Sequence, residues 1–176
     1  MTNALKEYGR IAVLLFCTKK RIKMKKIMFV CHGNICRSPL AEFVFLDMIK
    51  KRGLTSQITA ESRATSTEEI GNDVHRGTKA ILTKYSIPFA RREARQLTRA
   101  DYAKYDLFVG MDSANIRNML RIFGSDPDSK VVKLLDLTDR HGDVADPWYT
   151  GNFEDTYRDV TLGCEALIDR LSESII

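Results

Sequence analysis

Cysteine is scarce in this sequence and irregularly placed. The four present are Cys17, Cys31, Cys36 and Cys164, too few and too uneven for a small disulfide scaffold. There is no pair of C-x-x-C motifs, and the three histidines (His32, His75, His141) lie far apart, so a zinc site is not expected. A reducing, cytoplasmic setting follows as the default. Long hydrophobic runs are missing as well. The apolar run Ile11–Cys17 has seven residues, which is short of a bilayer span. It also makes a poor signal peptide, because the basic stretch Lys19-Lys20-Arg21-Ile22-Lys23 follows where a small-residue cleavage site belongs. Internal repeats and low-complexity linkers are absent.

What remains is an ordinary globular composition. The 176 residues are 44% apolar and 29% charged, which excludes collagen-like, disordered and supercharged classes. The length suits one domain, at most with an appendage, and a core that needs no disulfide or metal staple. Charge is unevenly spread. Residues 1–26 hold eight Lys/Arg and one Glu, a net of +7, whereas the other 150 residues hold 20 basic and 22 acidic side chains. The formal +5 of the chain therefore belongs to its tail, and the near-neutral body lacks a surface built to track a phosphate backbone. Three readings of residues 1–23 stand: an extension without function ahead of a true start at Met24, a weak amphipathic membrane contact, or an extra helix. The domain proper is read as residues 24–176.

From Lys26 onward, short apolar runs alternate with amphipathic stretches. Ile27-Met28-Phe29-Val30 reads as a buried strand ending at Cys31. Ser38-Pro39 is expected to open a helix, with Ser38 as its N-cap and Gly53 closing it in a left-handed conformation. Further strands are expected at 58–63, 107–111 and 131–135. Further helices are expected at 74–85, stopped by Ile87-Pro88, at 113–123 ahead of Gly124, and at about 153–171. Thr98 to Asp101 reads as a capping box on a short turn, and 136–151 as a long loop. Strands alternating with helices imply a three-layer α/β/α fold on a four-stranded parallel sheet. Ligands in such sheets bind at the carboxyl ends of the strands, which places a site beside Cys31.

The loop there is Cys31-His32-Gly33-Asn34-Ile35-Cys36-Arg37-Ser38. A loop entering a helix amino terminus aims several backbone N–H groups at one point, and the helix dipole adds positive potential. Gly33 and Asn34 are types that tolerate the positive φ such a loop needs. Arg37 adds a planar fork matched to two phosphoryl oxygens. Positions of this kind depress a cysteine pKa to roughly 3.5–7.5, so Cys31 is read as a nucleophile. Besides capping, Ser38 is placed to donate a hydrogen bond to the Cys31 sulfur.

With its strand before and helix after, the string Val30-Cys31-His32-Gly33-Asn34-Ile35-Cys36-Arg37-Ser38-Pro39 resembles the active-site signature of the low-molecular-weight protein tyrosine phosphatases. The resemblance runs from about Ile27 to Leu171. It is completed by Asp146-Pro147-Trp148-Tyr149, where the family places its general acid, so the resemblance implies that role for Asp146. It also implies that Trp148 and Tyr149 line a slot suited to an aryl group, and that the loop residues His32 to Cys36 and Ser38 bind substrate. The implied reaction is two-step covalent catalysis of phosphotyrosine hydrolysis through a phosphocysteine, with no metal or cofactor, since Arg37 and the amides supply the positive charge. By the same resemblance Ser62 braces Asn34, and Cys36 is a redox partner that forms a disulfide with Cys31. The expected partner is a phosphotyrosine-bearing protein, with no nucleic acid and no membrane span, and the chain is read as a monomer or weak dimer.

Some positions depart from the family pattern. Glu68 stands where many members place an aromatic wall, which implies a weaker aryl grip and different peptide preferences. Arg92 stands where eukaryotic members carry a histidine that orders the loop, which leaves that network open. Asp112 and Asn115 are read as helix-capping residues, and His32 as an exposed loop residue. Arsenate reductases of similar fold need a further cysteine pair, and Cys164 alone, expected in the core, does not provide one. Bacterial arginine phosphatases carry Thr at the position of Ile35, so Ile35 favours phosphotyrosine. A phosphate-binding or phosphocarrier module has no use for the acid at Asp146.

Overall fold

The structure, a computed structural model, describes residues 24–173. The readings of the amino-terminal extension lie outside them. Four parallel strands form the sheet: β1 Lys25–Cys31, β2 Ile58–Ala64, β3 Leu107–Gly110 and β4 Val131–Lys133, in the order β2-β1-β3-β4. Five α-helices accompany them: α1 Arg37–Lys51, α2 Arg76–Lys84, α3 Ser113–Phe123, the single turn α4 Pro147–Thr150, and α5 Phe153–Glu173. Among the described residues, no helix is long and apolar enough to cross a membrane.

The alternation of side chains along β1 divides the core in two. Ile27, Phe29 and Cys31 face α1 and α5, packed with Leu40, Val44, Phe45, Val160, Cys164 and Leu167. Met28 and Val30 point the other way, onto Phe108, Met119 and Phe123 beside α3. A strand buried on both faces reads as a continuous apolar run, which is why Ile27–Val30 was legible as one. β1 lies inside the sheet and the chain leaves it toward α1, so Cys31 sits where the strand order turns, at the crevice where such sheets bind ligands.

Several expectations need correction. Ser38 is not the N-cap of α1. That position falls on Cys36, which makes no side-chain capping bond, because the Ser38 hydroxyl is engaged by the Cys31 sulfur and the Asn34 amide. Asn34 takes positive φ (59°), but Gly33 does not. Gly33 is instead required for space, since a Cβ there would lie 2.9 Å from Glu69 Cγ. β4 ends at Lys133, and Leu134–Leu137 form a 3-10 turn. The buried pair Leu134-Leu135 prolongs the apolar run without prolonging the strand. β3 ends at Gly110, one residue before the expected limit, although Met111 N still donates to Val30 O. α2 starts at Arg76, capped by His75 Nδ1, which accepts from Gly77 N. The loop 136–151 contains α4, which Asp146 caps by accepting from Trp148 N. The left-handed closure at Gly53, the end of α3 ahead of Gly124 and the Thr98 capping box occur as expected, and Gly124 also takes a positive φ.

Candidate active site

The path from β1 to α1 folds around the Cys31 sulfur. Asn34 N donates to Sγ at 3.3 Å, and Ser38 Oγ lies 3.1 Å from it. A thiolate only accepts, so opposite that form the hydroxyl is the donor. The Ser38 oxygen accepts from Asn34 Nδ2 at 2.9 Å, and its one proton has the sulfur as the nearer acceptor and the Arg63 carbonyl at 3.4 Å as the farther. Asn34 is fully enclosed, and both polar atoms of its side chain are used. Nδ2 also donates to Ser62 Oγ at 2.8 Å, while Oδ1 accepts from Arg92 Nη2 at 2.9 Å and from Arg95 N at 3.2 Å. These bonds hold Asn34 in the left-handed conformation that turns its own amide toward the sulfur.

Ser62 therefore braces Asn34, and Arg92 joins the same network instead of breaking it. Its guanidinium also bonds Ser62 Oγ and pairs with Glu42 on α1. Burial raises the Glu42 carboxyl above its ordinary value, with Arg92 and a 2.7 Å bond from Ser62 opposing the rise.

Arg37, the first residue of α1, has a side chain only 4% exposed. Its Nη1 donates to Asp112 Oδ2 at 2.6 Å and its Nη2 to Asp146 Oδ2 at 2.5 Å. Burial works against its charge, but the fields of Cys31 and Asp146 and the bond to Asp112 outweigh it and hold the guanidinium above its ordinary value. Nη1 also reaches the Val144 carbonyl at 3.5 Å, so three of the five N–H donors are engaged, and Nε–H and the second Nη2 N–H remain for an anion. The assignment of Asp112 to capping alone is corrected. Oδ1 does cap α3 by accepting from Asn115 N at 2.6 Å, but Oδ2 orients Arg37. Asn115 fits its structural reading, accepting from Met111 N through Oδ1. Asp112 follows the carboxyl end of β3, and that position was the one sequence signal of a second role.

Cys31, His32, Gly33, Ile35, Cys36, Arg37, Glu68, Glu69, Asp146, Trp148 and Tyr149 line one cleft of about 180 Å³, room for a single side chain. Asn34, Ser38 and Ser62 stand behind it as supports. Trp148 and Tyr149 are 58% and 85% exposed and form one side of the mouth. Trp148 meets the His75 ring edge-on at 6.0 Å. On the other side His32 Nε2 and Glu68 Oε2 are 2.9 Å apart, so His32 is exposed, as expected, and tied to the residue that replaces the aromatic wall. Glu69, missed in the sequence, packs on Gly33 and accepts from Asn72 Nδ2 at 2.7 Å. Cys36 is buried beside Ile35, Ala94 and Phe153. Burial, then the fields of Cys31 and Asp146, push its thiol up to about 12, against Arg37 and a bond from Thr78. No cluster of three or more His, Cys, Asp or Glu suited to a metal ion occurs among the described residues.

A parallel α/β/α sheet with a thiol at the end of its first strand, inside a strand-to-helix anion cradle, defines a class of proteins that hold an oxyanion against cysteine. The comparisons with known proteins narrow the class. Residues 26–175 match the family model described as low molecular weight phosphotyrosine protein phosphatase. The chain is 40% identical over 147 residues to the low molecular weight protein-tyrosine-phosphatase YfkJ of Bacillus subtilis, covering 82% of this chain and 94% of that protein. It is 37% identical over 147 residues to PtpA of Staphylococcus epidermidis, a protein with the same description, covering 83% and 93%. The crystal structure of YfkJ superposes with a TM-score of 0.83 at 38% identity, covering 86% and 97%. That of the low molecular weight protein tyrosine phosphatase of Streptococcus pyogenes gives 0.76 at 41%, covering 84% and 93%. This chain belongs to the low molecular weight phosphotyrosine protein phosphatase family.

Proposed function

We propose that Cys31, Arg37 and Asp146 carry the protein-tyrosine-phosphatase activity that family membership assigns to this chain. The single observation behind this reading is that one cleft brings the sulfur, the guanidinium and the carboxyl together from β1, α1 and the loop before α4. In the first step the Cys31 thiolate attacks phosphorus. The S–P bond forms, the P–O bond to the tyrosine ring breaks, and the proton on Asp146 passes to the departing oxygen. The arriving phosphoryl group competes with Asp146 for Arg37 and releases Oδ2, the carboxyl oxygen free to carry that proton, since Oδ1 accepts from Trp148 N at 3.0 Å. In the second step Asp146 takes a proton from water, the water oxygen attacks phosphorus, and the S–P bond breaks. Ser38 steadies the sulfur as nucleophile and again as leaving group, while Arg37 and the loop amides hold the equatorial oxygens. Gly33, Asn34, Ile35 and Cys36 shape the cradle, and His32, Trp148 and Tyr149 meet the aryl ring and its peptide.

The catalytic domain is residues 24–176, its substrates are phosphotyrosine-bearing proteins, and its place is the cytoplasm, where Cys31, Cys36 and Cys164, all free, stay reduced. Asp146→Ala is expected to lower kcat/KM on a phosphotyrosine peptide by about 10²-fold or more, and far less on an aryl phosphate whose phenol is strongly acidic and leaves unaided. Equal losses on the two substrates refute the acid assignment. Cys31→Ser is expected to abolish turnover of both.

A further inference from the structure

The acid at Asp146 hangs from a peptide plane that helix α5 holds in place. Thr156 Oγ1 donates to the Ala145 carbonyl at 3.0 Å, the nearer of two acceptors, with the Asn152 carbonyl one turn back at 3.3 Å, and the Ala145 amide donates to Asp159 Oδ2 at 3.4 Å. Both α5 residues are buried, Thr156 at 0% and Asp159 at 2% exposed. The other Asp159 oxygen is paired with Arg140, at the far end of the same loop. Between these two anchors the chain passes through left-handed His141 and Gly142, and Asp143 and Val144 tie it further to Ser113, Lys133 and Met111.

Resting on the reading of Asp146 as general acid, we infer that Thr156 is a positioning residue for proton transfer to the leaving group, with Asp159 as the second support. A peptide unit is planar, so fixing the Ala145 carbonyl fixes the direction in which the Asp146 Cα is presented. The following unit is fixed from the other side. Pro147 locks its own φ, and the Asp146 carbonyl accepts from Tyr149 N and Thr150 N, each at 3.2 Å. With both flanking planes held, the carboxyl is left only its side-chain rotations, and Trp148 N and Arg37 restrict those. Of all these restraints only the Thr156 bond combines a short distance, complete burial and a side chain outside the cleft. Removing it loosens the aim of the acid without touching the sulfur or its cradle. A displacement of this kind weakens proton transfer while leaving anion binding intact.

Thr156 carries the test because Asp159 also neutralises Arg140, so its loss disturbs folding as well. The experiment measures kcat/KM, which counts only steps up to departure of the leaving group, for wild type, Thr156→Val, Thr156→Ser and Asp146→Ala. The substrates are a phosphotyrosine peptide and an aryl phosphate with a strongly acidic phenol, and inhibition by inorganic phosphate reports on the cradle. Thr156→Val is expected to lose about tenfold on the peptide and less than about twofold on the acidic ester, with phosphate inhibition unchanged. Thr156→Ser keeps the hydroxyl and is expected to restore the peptide rate. Equal losses of Thr156→Val on both substrates, no loss on either, or failure of Thr156→Ser to rescue overturns the inference while Asp146→Ala still discriminates. If Asp146→Ala itself treats the two substrates alike, the acid reading falls first and this inference with it.

Discussion

Two thiols share the cleft, and their surroundings give them different chemistry. The Cys31 sulfur receives hydrogen bonds from Asn34 N and the Ser38 hydroxyl. Cys36 receives little support, and burial with the fields of Cys31 and Asp146 pushes it up to about 12. At pH 7 a thiol titrating near 12 is ionised in only about one molecule in 10⁵, and thiolate is the form that alkylates. Cys164 is pushed up still further by complete burial. Of the three cysteines among the described residues, iodoacetate at neutral pH is therefore expected to modify Cys31 alone, as peptide mapping would read. The same electrostatics bear on Cys36 as redox partner. Peroxide converts the Cys31 thiolate to an uncharged sulfenic acid, and that removes one of the fields holding Cys36 protonated. As a redox partner, Cys36 would attack the sulfenic sulfur through its own sulfur, forming the S–S bond as water leaves with the Cys36 proton. Inhibition by mild peroxide is expected to be fully reversed by added thiol in the wild-type protein and incompletely in Cys36→Ser. Equal recovery in both removes Cys36 from that role.

At the scale of elements, α5 has two tasks. It covers one face of the sheet, and it fastens the loop that bears Asp146. Gly163 in the middle of α5 lets it approach the 3-10 turn after β4: a Cβ there would lie 2.4 Å from Leu134 Cγ, in a fully buried side chain. Gly163→Ala would normally favour a helix, but the clash reverses the sign, and the variant is expected to lose about 1–3 kcal/mol. Chemical denaturation reads this as a lower midpoint, while kcat/KM below the transition stays near that of wild type. A variant as stable as wild type means that α5 shifts freely over Leu134. Such approaches cannot be read from periodicity, which reports only which face of a helix is apolar. The same limit explains the errors at element ends. Leu134-Leu135 continues the apolar run of β4 into a turn, and apolar Val74 extends the amphipathic pattern of α2 past its cap at His75. The strands and long helices were legible because each buries a regular stripe or a continuous run.

Over the whole molecule, legibility of the site follows distance along the chain. Cys31 to Ser38 is one local string and could be read in full. Asp112 reaches Arg37 only because the parallel sheet gathers the carboxyl ends of its strands, and a local capping role already sufficed to explain it. Arg92 reaches Asn34 from the segment after α2, where Asp73 accepts from its amide. The rim of the cleft shows the same effect, and it carries a consequence for partner choice. Aromatic Trp148 and Tyr149 line the same cleft as Glu68 and Glu69, whose partners His32 and Asn72 leave the rim negative when the imidazole is neutral. The body outside the tail holds two more acidic than basic residues, so its net charge does not oppose that rim. A phosphotyrosine flanked by Lys or Arg therefore gains where one flanked by Asp or Glu loses. Each exposed contact is worth about 0.2–1 kcal/mol, or roughly 1.4- to 5-fold in kcat/KM. The preference is expected to shrink as salt shortens the screening length below about 10 Å, to weaken in Glu68→Gln and to reverse in Glu68→Lys. A small aryl phosphate, which does not reach the rim, is expected to change little in either variant. Peptides of opposite flanking charge that are turned over alike at low salt, or a preference untouched by Glu68→Lys, would show that the mouth selects by shape and that charge plays no part in it.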